Sequence, residues 1–350
     1  MKIAQIAPLI ESVPPRLYGG TERVVSYLTE ELVRRGHEVT LFASADSRTS
    51  ARLVSCVPRA LRLDSRVKDP MPYALLQLEQ VRKLAPEFDV LHFHTDLLHF
   101  PILRSLRARS LTTLHGRLDL PDLPPLYDEF QDMPLVSVSN HQRKPLPRAN
   151  WIATVYHGLP RAITRYFPAP AGGYLAFLGR ISPEKGPDRA IAIARRLGMK
   201  LRIAAKVDRV DADYFRREIE PLLSHPLVEF IGEIGERDKP DFLGNALALL
   251  FPVDWPEPFG LVMIESMACG TPVVAYARGS VPEIVEDGVT GFIARDEDSA
   301  VEAVRRVETL DRARVRRRFE QRFTVERMAD DYLAVYRRLG APLEMERTAA

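Results

Sequence analysis

Apolar residues in this chain gather into short runs, separated by longer stretches in which they recur every three or four positions. Residues 2–7, 38–43, 89–94, 110–115, 135–139 and 151–156 are runs rich in Val, Ile, Leu and Phe, the composition of strands covered on both faces. After the first run, a loop with Pro14, Pro15, Gly19 and Gly20 leads to Thr21, an expected N-cap. The periodicity predicts a helix from there to about Arg35, stopped by Gly36. A further helix is expected between the runs at 89–94 and 110–115. Residues 118–133 are rich in Pro and Asp, lack periodicity and read as a loop over one face.

Residues 160–173 hold several Pro and Gly and mark a boundary, after which the pattern restarts. Strands are predicted at 174–179, 201–205 and 246–251, a loop and helix at 183–197, and a helical stretch at 214–223. Arg34-Arg35-Gly36 before the second run is echoed by Arg195-Arg196-Leu197-Gly198 before 201–205, so each half places a helix stop between its first two strands. Alternating strands and helices of this kind give an α/β fold with parallel sheets. Two doubly wound, Rossmann-like domains facing across a cleft, at 1–165 and 170–324, are the expected architecture, with the site where strand ends meet.

Length fits this division, since 350 residues exceed one ordinary core. A net charge of +2 gives no bulk attraction to nucleic acid. The Arg-rich stretch 312–319 has no interleaved stacking aromatics and reads as a solvated helix face balanced by Glu302, Glu308, Glu320 and Glu326. Cys56 and Cys269 are far apart and form no disulfide framework, which points to a reducing compartment. The first apolar run is short, is interrupted by Gln5 and Pro8, and reads as a strand, not a signal peptide. A cytoplasmic protein with at most peripheral membrane contact is expected.

The densest chemistry lies around Asp254-Trp255-Pro256-Glu257-Pro258-Phe259-Gly260, which follows the 246–251 strand and opens a helix closed by Gly270. A strand end, a Pro-stiffened loop and a helix N-terminus leave free N–H groups for an anionic or polyhydroxyl ligand. Glu257 in the loop and Glu265 in the helix can face one crevice. Glu257-Pro-Phe-Gly-Leu-Val-Met-Ile-Glu265, followed by Ala268-Cys-Gly-Thr-Pro-Val and Gly279-Ser-Val-Pro-Glu283, resembles the E-x7-E signature of retaining glycosyltransferases of family 4, which have the GT-B architecture.

That resemblance implies a set of roles. Arg180 and Lys185, in Gly179-Arg-Ile-Ser-Pro-Glu-Lys-Gly186, match the family's phosphate motif and would hold the leaving diphosphate. Gly20 would approach the phosphate, with Gly19 permitting the bend. His115, ending its strand, would touch the donor sugar. Glu257 would bind sugar hydroxyls, Glu265 the ribose, and the backbone of Phe259, Gly260 and Leu261 the sugar or phosphate. Ile234 would lie near the base, and Lys206 would add a third cation. The first domain would take the acceptor, the second the nucleotide sugar, and a helix at about 325–340 would pack back on the first.

His92, His94 and His99 lack Cys or acidic partners at ligand spacing, so no metal or other cofactor is expected. His94 is expected to line the acceptor side. The function implied is a retaining, metal-independent hexosyltransferase using a nucleotide-diphosphate sugar, UDP-glucose first, toward an unidentified acceptor. Three other readings are a nucleotide-sugar epimerase of the same fold, a non-catalytic nucleotide-sugar binder, and a metal-dependent transferase using Asp211-Ala-Asp213. The acids of that triplet read instead as helix caps. Tyr156-His157-Gly158 replaces the family's usual Asn-Gly turn, and Asp254-Trp255 stands just before Glu257. Both departures bear on sugar specificity.

Overall fold

The structure, a computed structural model, describes residues 1–340. Its first half comprises β1 (Lys2–Ile6), α1 (Gly20–Arg34), β2 (Glu38–Phe42), β3 (Arg52–Val54), α2 (Met71–Leu84), β4 (Val90–Phe93), α3 (Phe100–Leu103), β5 (Ser110–Thr113), α4 (Leu123–Glu129), β6 (Leu135–Ser137) and β7 (Trp151–Thr154). The second comprises β8 (Tyr174–Arg180), α5 (Pro187–Leu197), β9 (Lys200–Lys206), α6 (Ala212–Tyr214), β10 (Val228–Gly232), α7 (Lys239–Gly244), β11 (Ala246–Phe251), α8 (Leu261–Ala268), β12 (Val273–Tyr276), α9 (Val281–Ile284), β13 (Gly291–Ala294) and α10 (Glu297–Arg306). Helices α11 (Arg312–Arg322) and α12 (Val325–Gly340) follow.

Each half forms one parallel sheet, ordered β3-β2-β1-β4-β5-β6-β7 and β10-β9-β8-β11-β12-β13. In both, the winding direction reverses beside the first strand, between β1 and β4 and between β8 and β11. A crevice opens at the carboxyl ends of the strands at such a reversal. The fold is therefore two doubly wound Rossmann-like sheets, as the alternation of runs predicted.

Strand alternation decides which side chains meet which helices. On one face of the first sheet, Ile3, Val90, Leu111 and Val136 pack under Val24, Leu28 and Leu32 of α1 and Met328, Tyr332, Leu333 and Tyr336 of α12. On the other, Ala4, Ile6, Leu91 and Phe93 pack under Leu78 and Val81 of α2. The second sheet is covered by α5 and α10 on one side and by α7, α8 and α11 on the other. The chain leaves the second sheet at α11 and crosses to the first. Gly158 sits so close to Thr324 at this crossing that an added Cβ would fall 2.1 Å from its carbonyl oxygen.

Several local expectations are corrected. Helix α1 is capped by Gly19, not Thr21, because the turn already begins at Gly20; no side chain caps it. Residues 118–133 contain α4, whose two prolines occupy the first turn, where a missing N–H costs nothing, and which buries Tyr127. The stretch 214–223 is not one regular helix but α6 continued by a π turn and a 3-10 turn. Asp211 makes no side-chain cap there, and its carboxylate lies 3.3 Å from the Arg180 guanidinium. The basic stretch 312–319 is only partly a solvated face. Arg312 is buried and donates to the carbonyls of Phe167, Gly244 and Ala246 and to the Thr271 hydroxyl, tying α11 to the second sheet. The echoed helix stops are present: Gly36 and Gly198 both take left-handed φ, 83° and 65°.

Candidate active site

The two crevices face each other and merge into one cleft of about 740 Å³. Its walls include every candidate side chain named above: Gly19, Gly20, His115, Arg180, Lys185, Lys206, Ile234, Glu257, Phe259, Gly260, Leu261 and Glu265. Most come from a strand end or the loop after it, and Gly20, Leu261 and Glu265 from the first turns of the helices that follow, which is why positions so far apart in sequence converge.

On the second-sheet wall, β8 ends at Arg180 and β9 at Lys206, paired in register. Arg180 bonds Glu184 at 2.5 Å, and Lys206 lies 3.6 Å from Asp208. Lys185 donates to Glu257 Oε2 at 2.5 Å and stands 4.6 Å over the Trp255 ring, whose Nε1 donates to the same oxygen at 2.8 Å. Glu257 is thus held at one oxygen, and its Oε1 has no protein partner among the described residues. Glu265 follows the same logic deeper in the cleft. Lys239 donates to its Oε1 at 2.7 Å, and its Oε2 is buried without a partner. A buried carboxylate oxygen left unsatisfied costs about 1–3 kcal/mol, and this one belongs to a residue of the cleft wall, where a hydrogen-bond donor can reach it.

Helix α8 is capped by Gly260, with φ at 81°, so its N-terminus, where the first N–H groups of a helix lack intrahelical acceptors, lies at the cleft wall. The Phe259 ring is buried against His157 and Phe323, so its contribution to the cleft is backbone. Gly279 holds this loop from behind: an added Cβ would fall 2.2 Å from the Glu257 nitrogen.

On the first-sheet wall, Gly19 turns against Pro15, and Gly20 faces the Leu261 side chain across the cleft. His115 lies two residues past β5, and its Nε2 lies 2.9 Å from His94 Nδ1. Burial pushes its imidazole down to about 3, so the ring is neutral at physiological pH. His94, expected on the acceptor side, is not among the residues of the cleft wall. It is 2 % exposed, because the residue just past β4 keeps the strand's alternation and turns inward under α12. His99 is likewise enclosed, stacked on Phe93 and bonded to Thr112 at 2.8 Å.

Sequence reasoning missed the bonds between the two walls. Arg23 of α1 is ion-paired with Glu236 and donates to Leu17 O, Tyr27 donates to Glu236 at 2.9 Å, and the Tyr18 N–H donates to Glu233 at 2.9 Å. Glu283 of α9 accepts from the Asn140 and His141 N–H groups at 2.8 and 2.7 Å and from Tyr156. The signal for Arg23 and Tyr18 was their adjacency to Gly19-Gly20; Lys239 carried none.

Comparison with known proteins fits this geometry. Residues 18–171 match the model described as Glycosyltransferase Family 4, and residues 169–323 the one described as Glycosyl transferases group 1. The D-inositol 3-phosphate glycosyltransferases of Mycobacterium tuberculosis H37Rv and of Mycobacterium bovis are each 32 % identical over 186 residues. That match takes in 49 % of this chain and only 38 % of those relatives' length. Solved structures agree over nearly the whole chain. AviGT4, involved in avilamycin A biosynthesis, has a TM-score of 0.74 at 24 % identity, covering 97 % of this chain and 98 % of its own. Sucrose-phosphate synthase from Thermosynechococcus elongatus gives 0.76 at 21 %, covering 97 % and 99 %. Anabaena HepE in complex with UDP and glucose gives 0.74 at 18 %, covering 96 % and 99 %. At these identities the structures establish the fold, GT-B, and the two adjoining models supply the rest: the chain belongs to the group 1, family 4 glycosyltransferases.

Proposed function

We propose that the protein transfers a hexose from a nucleotide-diphosphate sugar, UDP-glucose first, to an acceptor bound on the first-sheet wall, with retention and without a metal. One observation carries the reading. Three cations, Arg180, Lys185 and Lys206, face the Gly19-Gly20 turn across the cleft, flanked by two carboxylates that each keep one oxygen open. The diphosphate fits among the cations, the ribose diol at Glu265 Oε2 and a sugar hydroxyl at Glu257 Oε1. HepE, of the same fold, holds UDP and glucose, which supports the choice of donor.

In the structure Lys185 is neutralised by Glu257. Donor binding gives Lys185 a phosphate oxygen in place of that bond, while the Glu257 carboxylate keeps the Trp255 N–H and accepts from a sugar hydroxyl. As the bond from sugar to phosphate breaks, negative charge grows on the leaving oxygen, and contacts to Arg180 and Lys185 strengthen. Each is worth about 1.5–3 kcal/mol. A double displacement needs two carboxylates about 5 Å apart around the reacting carbon. Glu257, fixed by Trp255 and Lys185, suits sugar binding better, so the leaving phosphate takes the acceptor's proton on the front face. The lobes fall at 1–165 and 170–324, with α12 assigned to the first.

The test is nucleotide release from a panel of UDP-, GDP- and ADP-sugars, with and without EDTA, for the wild type, Arg180→Ala and Glu265→Ala. Turnover lost in Arg180→Ala, donor affinity weakened in Glu265→Ala and indifference to EDTA are the expected results. Unchanged kinetics in both variants would sink the assignment, and EDTA-sensitive turnover would sink its metal-independence.

A further inference from the structure

Alternation on β1, β4 and β5 puts Gln5, His92, His94 and Thr113 on the face covered by α12, each 2 % exposed or less. These polar groups sit at the cleft end of an otherwise apolar layer, and they form one continuous chain of hydrogen bonds. His115 Nε2 lies 2.9 Å from His94 Nδ1, and His94 Nε2 lies 2.8 Å from Gln5 Oε1. Gln5 Nε2 donates to the Tyr336 hydroxyl at 3.1 Å, which lies 2.7 Å from His92 Nδ1. His92 Nε2 lies 2.7 Å from the Thr113 hydroxyl, itself 2.9 Å from that of Tyr332.

The Gln5 amide gives this chain a direction. Its oxygen can only accept, so His94 carries its proton on Nε2 and offers a lone pair at Nδ1. His115 must then donate from Nε2, which leaves the lone pair of a neutral ring on Nδ1. That second nitrogen belongs to a cleft-lining residue and has no protein partner among the described residues. Read the other way, Gln5 Nε2 needs an acceptor, and Tyr336 supplies it while donating to His92 Nδ1. From His94 through Gln5 and Tyr336 to His92, every ring nitrogen has a partner in its uncharged form, and burial holds His92, His94 and His115 neutral.

We propose that Gln5 and Tyr336 are positioning residues that fix His115 as the Nε2–H tautomer, so that its Nδ1 accepts a hydrogen bond from a hydroxyl of the transferred sugar. The inference rests on the function proposed above for its sugar contact, though not for the tautomer. A lone pair directed at the sugar favours the positive charge that develops at the reacting carbon, whereas an N–H would oppose it. The control comes from α12, an element with no side chain on the cleft wall.

The experiment is histidine 15N NMR on the full-length protein, with His115 assigned by substitution, together with steady-state kinetics using UDP-glucose. The wild type should show His115 protonated on Nε2. Tyr336→Phe keeps the ring and removes the oxygen that orients the amide. It should populate both tautomers and lower kcat by about tenfold, the size of one hydrogen bond, with UDP affinity unchanged. Gln5→Glu keeps an acceptor toward His94 and should retain the Nε2–H form and most of kcat. Protonation of wild-type His115 on Nδ1 would overturn the proposal, as would Tyr336→Phe with tautomer and kcat both unaltered. Full turnover in His115→Ala beside an Nε2–H wild type would instead remove the sugar contact and leave the tautomer assignment standing.

Discussion

Glu257 shows how one carboxylate serves two states. It is 7 % exposed, and one of its oxygens takes both the Lys185 ammonium and the Trp255 N–H. Glu257→Gln should therefore separate nucleotide from sugar. UDP should bind as tightly as before or more so, because Lys185 is no longer neutralised. Turnover should fall about 10- to 100-fold, matching one charge-assisted hydrogen bond of about 1.5–3 kcal/mol. Calorimetry with UDP beside initial rates checks both halves, and parallel loss of UDP affinity and turnover would show that Glu257 merely supports the loop. The carboxylates, the cations and His115 were legible in the sequence because each lies at or shortly after the end of an apolar run, or early in the helix that follows. Their resting partners were not. Lys185 with Glu257 spans 72 positions and Lys239 with Glu265 spans 26, and pairing at such separations exists only once the sheet has formed.

At the scale of elements, β4 and the turn after it carry three histidines into the interior: His92 and His99 are fully buried and His94 nearly so. Burial lowers all three, His99 to about 3. Their folded values lie below the ordinary 6.5, so the unfolded chain binds more protons between those limits. Stability is then whole above about pH 6.5 and falls as the medium is acidified. The slope is about 1.4 kcal/mol per pH unit for each histidine fully resisting protonation. Denaturant midpoints measured from pH 7.5 to 5 should drop steeply, and His99→Gln should flatten the slope; a pH-independent midpoint would contradict the burial. The loop before α8 gives a second test. Ala at Gly279 would meet the Glu257 nitrogen at a left-handed φ of 57°. The variant should lose about 1–3 kcal/mol of stability and bind donor more weakly, seen by chemical denaturation and UDP titration. Elements with a clean period were predictable, as β1, α1, β8 and α5 were. Among those that escaped, β3 with three residues and α4 hidden behind Pro124 and Pro125 are too short or too rich in proline for periodicity to speak.

Across the whole molecule, the walls of the cleft are joined by Arg23 and Tyr27 on Glu236, by Tyr18 on Glu233 and by Glu283 on the turn at Asn140. Arg23 has a side chain only 6 % exposed, so Arg23→Ala leaves a gap at the mouth and leaves Glu236 with only Tyr27 and Lys239. Amide hydrogen exchange over residues 233–239 should quicken, and donor affinity should fall; exchange unchanged in that segment would mean the seam holds without it. No helix among the described residues is long and apolar enough to cross a membrane. The order in which the chain is made gives α12 a last significance. Tyr332 and Tyr336 complete the hydrophobic layer begun by Ile3 and Val90, yet they leave the ribosome after the whole second sheet. The half that is synthesised first is thus the half that is finished last, and its uncovered face must be kept from aggregation while some 170 further residues are translated.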